Sequence, residues 1–218
     1  MNYEQYDDVA LLHFDDGKVN VVGHDFIAAM NRGLDRAEQD AKAVVITGRP
    51  GRFSAGFDLA EFKKGPETAE ALVVAGAHML LRMFSHPQPI VAACTGHAIA
   101  AGAAMLLASD TRLGVPGDFK IGLNETAIGM NLPVFLLELA SARLSREYLT
   151  ASVVQGQLFP PEQAREAGFL DLVVQEQDLL QSSLDRAAQL ALLPAGPYAT
   201  NKRAIRARYI SSIQESLA

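Results

Sequence analysis

Three short stretches of the sequence place small residues in loops that directly follow β-type runs: Ser54-Ala55-Gly56-Phe57-Asp58-Leu59, Gly96-His97-Ala98-Ile99-Ala100-Ala101-Gly102 and Ile121-Gly122-Leu123-Asn124-Glu125. Small residues let a backbone approach a ligand or another chain closely. Glu125 has apolar neighbours in Ile121, Leu123, Ala127, Ile128 and Met130. Desolvation by such neighbours raises a carboxyl pKa toward neutrality. Each stretch taken alone also has an ordinary reading: Gly96 to Ala108 as a closely packed helix, Ser54-Ala55-Gly56 as a turn, and Glu125 as a solvent-facing carboxylate.

Other chemistries find less support. Ser54 fails the Gly-x-Ser-x-Gly nucleophile pattern because Arg52 occupies the first glycine position. The histidines at 13, 24, 78, 86 and 97 show no His-x-x-x-His or mixed carboxylate spacing, so no metal is expected. No Gly-x-Gly-x-x-Gly or Walker-type loop occurs, which leaves nicotinamide and nucleoside triphosphate chemistry unsupported. The lone cysteine, Cys94, removes any disulfide framework and fits a reducing compartment.

The elements that must position these loops follow from periodicity. Val9 to Phe14 and Ala43 to Thr47 read as strands, the second closed by Gly48, Pro50 and Gly51. Between them Phe26, Met30, Leu34 and Ala37 mark a helix with Asp25 as its N-cap. From Glu67 an apolar stripe, Leu72 to Phe84, marks a helix stopped before Pro87 and Pro89. A strand at Ile90 to Ala93, a small-residue turn, a helix through Ala108 and an extended Thr111 to Val115 follow. Beyond Glu125 helices are expected at Phe135 to Ala142, Ser145 to Val153, Pro161 to Ala167, Glu176 to Leu193 and from Pro197, with one strand at Leu170 to Val174. Strand–helix alternation with helices collected at the end predicts an α/β fold. With no linker or repeat in sight, one domain over residues 1–218 is expected, residues 197–218 forming a short terminal helical segment.

The 218 residues are 49% hydrophobic with a formal net charge of -6, so a sizeable core is expected and a nucleic-acid-binding surface is not. Met1 to Ala10 is polar and acidic, and the longest apolar run, Ala98 to Ala108, is about half a bilayer span. Neither secretion nor membrane insertion is expected, and a cytoplasmic location is the default.

Taken together, the order and spacing of the three stretches resemble the crotonase (enoyl-CoA hydratase/isomerase) superfamily from about Gly17 to Lys202. Ile-Gly-Leu-Asn-Glu-Thr at 121–126 and Leu-Phe-Pro-Pro at 158–161 look most like its 3,2-enoyl-CoA isomerase branch. The resemblance implies a spiral of strand–strand–helix repeats with C-terminal helices. It places two backbone N–H donors for a thioester enolate at Phe57 and Ala101, within a substrate site of Ser54, Ala55, Gly56, Phe57, Asp58, Ala101 and Asn124. The family usually has Gly where this chain has Ala101, beside Ala100; a positive φ there would disfavour Ala.

Superfamily hydratases carry two glutamates, and the matching positions are Ala104 and Glu125. One carboxylate suffices for a 1,3-proton shift, so the resemblance implies an isomerase with Glu125 as base. An acyl-CoA hydrolase, a single-glutamate hydratase and a non-catalytic acyl-CoA binder are the alternatives. No cofactor is implied beyond the coenzyme A of the substrate. That moiety is expected where the Ser54–Leu59 loop meets the turn from Lys18 and Val19 to Val21. Lys202, Arg203, Arg206 and Arg208 are candidates for its phosphates. A homotrimer or a stacked pair of trimers is implied, although the chain stops at Ala218 where many members continue.

Overall fold

The computed structural model describes residues 1–218. Its elements run β1 (Asn2–Tyr6), β2 (Val9–His13), β3 (Val21–Val22), α1 (His24–Asp40), β4 (Ala43–Thr47), β5 (Gly51–Ser54), β6 (Gly56–Phe57), α2 (Leu59–Phe62) and α3 (Pro66–Ser85). They continue with β7 (Ile90–Cys94), β8 (Gly96–Ile99), α4 (Ala101–Ala108), β9 (Thr111–Gly114), β10 (Ile121–Gly122) and a 3-10 turn (Thr126–Ile128). The remainder is helical apart from β11 (Leu172–Val173): α5 (Val134–Arg143), α6 (Arg146–Leu149) with a π-type turn (Thr150–Val154), α7 (Pro161–Ala167), a 3-10 turn (Glu176–Asp178), α8 (Leu179–Ala191) and α9 (Ala195–Ser216). No helix is long and apolar enough to cross a membrane.

Three sheets form the frame. The largest has the order β1-β2-β4-β7-β9-β11, the second β10-β8-β5, and the third pairs β3 with β6. Only β1 and β2 pair antiparallel; every other ladder is parallel. Each strand–strand–helix repeat sends its first strand (β4, β7, β9) into the large sheet and its second (β5, β8, β10) into the small one. The loops with small residues therefore leave neighbouring strands side by side, the arrangement a spiral of repeats predicts.

Burial explains why the large sheet is legible in the sequence. All five residues of β4 are buried, the mark of a strand covered on both faces. Successive side chains alternate: Leu12, Val44, Ile46, Ile90 and Ala92 join the main core, while Leu11, Val45, Val91 and Ala93 meet Leu179 and Ala187 of α8. Every residue of α4 is buried, as an all-apolar helix requires. It runs through the centre of the core, packing on α3, α5 and β8.

Among the sequence expectations that shift, the small-residue turn after Ile90 to Ala93 opens as strand β8 (Gly96–Ile99). The first helix begins at His24 with Gly23 as its N-cap, and Asp25 falls in the first turn, where its charge favours the helix dipole instead of capping. The strand expected at Leu170 to Val174 contracts to Leu172–Val173. Phe169 and Leu170 instead turn their N–H groups back onto the Ala164 carbonyl (2.8 and 3.2 Å) and bury their side chains after Gly168 ends α7.

Candidate active site

The loop between β5 and α2 is tied to the turn before β3 at successive residues. Ala55 N–H donates to the Val19 carbonyl (3.0 Å), and Ser54 Oγ donates to the Asn20 carbonyl (2.7 Å) while accepting from Gly56 N–H (3.2 Å). Val21 and Val22 then pair with Gly56 and Phe57, and Asp58 N–H donates to the Val22 carbonyl (3.2 Å). N–H groups of successive residues in an extended chain point to opposite sides. Because that of Asp58 is directed at β3, that of Phe57 points away from β3.

On that other side lies the start of α4. A Cβ added to Gly56, whose φ is +93°, would stand 2.9 Å from the Ala100 Cβ, 2.9 Å from the Ile99 carbonyl and 3.3 Å from the Ala101 nitrogen. The two chains approach this closely only because residue 56 has no side chain. Gly102 serves the same fit, since its Cβ would lie 2.4 Å from the Ser54 carbonyl. Ala101 is the first residue of α4, so its N–H has no acceptor inside the helix and lies at the positive end of the helix dipole. The chain at Gly56 and Phe57 thus packs directly against the start of α4.

Beside this contact opens a cavity of about 340 Å³. Ala55, Phe57, Leu59, Ile99 and Ala100 form one side, Asn124, Glu125, Ile128, Met130 and Asn131 another, and Phe62, Val73, Pro133 and Leu136 close the rest. Glu125 is the only titratable side chain among them. It is 6% exposed, and its Oε2 is buried without a hydrogen-bond partner. Desolvation pushes its carboxyl above the ordinary value, against a smaller lowering by its own backbone N–H. Asn124 beside it leaves Oδ1 buried and unpaired as well. A buried carboxylate without a partner costs stability, so its position is explained by what enters the cavity.

The cavity takes up some of the expected residues and not others. Ala55, Phe57, Asn124 and Glu125 line it. Ser54, Gly56 and Ala101 are buried and do not line it; Ala101 follows the lining residue Ala100 at the start of α4. Asp58 lies outside it: its Oδ1 accepts from Ala60 N–H (2.9 Å) as the N-cap of α2, and the residue lines a second cavity with Asn20 and Val21. Of the apolar neighbours expected around Glu125, Ile128 and Met130 line the cavity, whereas Ile121 and Leu123 belong to the core.

The backbone strain sits at Ala100, not Ala101, with φ 53° and ψ -122°. Alanine in such a region costs about 1–3 kcal/mol, which Gly would relieve against about 0.5–1 kcal/mol of extra chain entropy. Ala100→Gly is therefore expected to raise the denaturant midpoint without changing the slope, as equilibrium urea unfolding would measure.

Lys202 and Arg206 are paired with a carboxylate away from that cavity. Lys202 Nζ binds Asp110 Oδ2 at 2.7 Å and Arg206 Nη2 binds Asp110 Oδ1 at 2.9 Å, with all three side chains under 10% exposed. Burial lowers the Lys202 ammonium to about 8 even with that carboxylate beside it. Asp110 follows the C-terminal end of α4 while the Ala101 N–H lies at its N-terminal end, about 12 Å away at 1.5 Å per residue. Both cations are committed to holding α9 on the core. Lys18, Val19, Arg203 and Arg208 remain exposed.

Sequence reasoning missed Asn20 and most of the cavity wall. Asn20, 1% exposed with φ 56°, donates from Nδ2 toward the carbonyls of Phe14, Arg52 and Phe53 and so locks the β3 turn to β5. An Asn after Gly17 in an Asp-rich turn was its available signal. Leu59, Phe62, Val73 and Leu136 carried none, because their helices show no face reserved for a ligand.

Comparison with known proteins decides the family. The enoyl-CoA hydratase/isomerase family model matches residues 4–218. The chain belongs to the enoyl-CoA hydratase/isomerase family. It is similar to human mitochondrial enoyl-CoA delta isomerase 1, with 30% identity over 191 residues covering 85% of this chain and 63% of that protein, so it spans less than two thirds of that relative. It is also 28% identical to a probable enoyl-CoA hydratase of Bacillus subtilis, over 84% of this chain and 72% of that one. A crystal structure of a hydratase/isomerase family protein from Pseudomonas syringae superimposes with TM-score 0.96 at 41% identity, covering 99% and 94% of the two chains. The architecture is the crotonase fold that the resemblance implied. Because this family's relatives carry both hydratase and isomerase names, the reaction has to be read from the residues that line the cavity.

Proposed function

We propose that this family member is an isomerase that moves the double bond of a 3-enoyl-CoA thioester to the trans-2 position. Glu125 removes a C2 proton, and the electron pair delocalises into a dienolate whose oxygen accepts from the Phe57 and Ala101 N–H groups. The protonated Glu125 then delivers its proton to C4 as the thioester carbonyl re-forms, so the product is isomeric with the substrate. Donors of this kind are worth about 2.7–4 kcal/mol of barrier each.

One observation carries this reading: a single titratable group lines the cavity. Hydration activates a water and protonates the α-carbon, work usually shared by two carboxylates. At Ala104, where the resemblance places the other hydratase glutamate, the chain has a fully buried methyl group inside α4. The turn from Lys18 to Val21, laced to the β5–α2 loop, is where coenzyme A is expected, with the exposed Lys18 as the cation of that turn for its phosphates. The family's trimeric or hexameric assembly goes with this reading.

A panel of 3-enoyl, 2-enoyl and saturated acyl-CoA esters tests it. The expected outcome is conjugation of the 3-enoyl ester, seen as a rise in ultraviolet absorbance, with no free thiol. Thiol release would make the protein a hydrolase, consumption of the 2-enoyl ester alone a hydratase, and tight binding with no turnover a binder.

A further inference from the structure

We propose that the contact between the Phe57 ring and Gly76 of α3 sets the length of straight aliphatic acyl chain that the cavity accepts. The proposal rests on the acyl-thioester function above and extends it to substrate class.

Phe57 acts twice. Its backbone belongs to the anion site, while its ring lies against α3 and lines the cavity beside Phe62, ring centroids 6.4 Å apart. Gly76 is buried on α3 one helical turn from Val73, which also lines the cavity. A Cβ at position 76 would lie 2.3 Å from Phe57 Cε1 and 2.6 Å from Cζ, so the ring occupies the space a side chain there would fill. Ordinary carbon contacts are about 3.5–4.0 Å, and any residue but Gly would drive the ring edge back by more than about 1 Å. Gly76 therefore holds the ring out of the cavity.

The lining gives the chemical class of the tail. Away from Asn124, Glu125 and Asn131 the walls are apolar, so a hydroxylated or charged tail would find no partner. Within the cavity each added methylene is expected to tighten binding up to about fourfold, and the gain is expected to stop where the Phe57 and Phe62 rings meet the chain.

The test is calorimetric binding of saturated straight-chain acyl-CoA esters of four to fourteen carbons, which needs no turnover. The wild-type affinity is expected to climb with chain length and then stop rising within this series. Gly76→Ala is expected to move that break to shorter chains, with at least a tenfold loss for the ester at the wild-type break and less than a twofold loss for the four-carbon ester. Phe57→Leu keeps the backbone N–H, removes the ring edge and is expected to move the break to longer chains. In the Gly76→Ala/Phe57→Leu double variant the alanine is expected to have no further effect. A loss equal at every length, or a break that stays fixed in Phe57→Leu, overturns the proposal. An absence of isomerisation with the length dependence intact would count against the reaction assigned above and leave this inference standing.

Discussion

Glu125→Gln is expected to lower kcat for a 3-enoyl-CoA by about 10³–10⁴ while leaving substrate affinity within a few fold. The amide keeps the size of the side chain and the shape of a cavity in which no other titratable group can replace the base. Positioned proton transfer contributes about 10²–10⁴, and here one group performs both transfers, which puts the loss at the upper end. Steady-state kinetics with retained binding of a saturated acyl-CoA would show it. The wild-type pH profile carries the same signature: kcat/KM rises with pH as Glu125 ionises, and because burial raises that pKa the acid limb lies above the usual carboxylate range.

The same shift has a stability consequence whose sign is fixed. A carboxyl whose folded-state pKa is raised contributes stability below its unfolded pKa and loses that contribution as pH rises through the folded one. As pH rises through that folded-state pKa, ionisation of the unpaired Glu125 therefore weakens the fold. Glu125→Gln is expected to melt higher than wild type at neutral pH, with the difference vanishing in acid, below about pH 4. An inactive but more stable variant separates a functional carboxylate from a structural one.

Gly56→Ala is expected to cost about 10²–10³ in kcat together with a clear loss of stability. The new methyl would stand 2.9 Å from both the Ala100 Cβ and the Ile99 carbonyl, and the φ of +93° is itself unfavourable for Ala. Neither contact is the end of a flexible side chain, so the β5–α2 loop and the start of α4 must separate, and the Phe57 and Ala101 N–H groups with them. The activity loss is expected in kcat more than in KM, because those groups act on charge that develops during the reaction. Wild-type kcat in the Gly56→Ala protein would show that the two strands do not need this approach.

Legibility followed the physics of each element. β4 is readable to the residue because burial on both faces writes an unbroken apolar run, and α7 because Pro161 opens it and Gly168 closes it. The two-residue strands β3, β6 and β10 left no periodicity to detect, since tertiary contacts alone hold them extended. The spacing of the three loops carried the family resemblance, and the resemblance pointed to Glu125 and Ala101. That Asp58 caps its own helix was not legible, because a carboxylate can cap a helix as readily as face a ligand. The pairing of Lys202 was hidden because its partner, Asp110, is 92 residues distant in sequence. The Phe57 ring on Gly76 was hidden for the same reason: pattern along a chain does not report what packs across it.

The central claim is that one buried carboxylate carries a proton from C2 to C4 of a thioester whose oxygen rests on two backbone N–H groups. Mass spectrometry of the product formed from a C2-deuterated 3-enoyl-CoA tests it most directly. A product isomeric with the substrate, carrying part of the deuterium lost from C2 at C4, is what this site predicts. A product heavier by one water, free coenzyme A, or an isomer with no deuterium at C4 would contradict it.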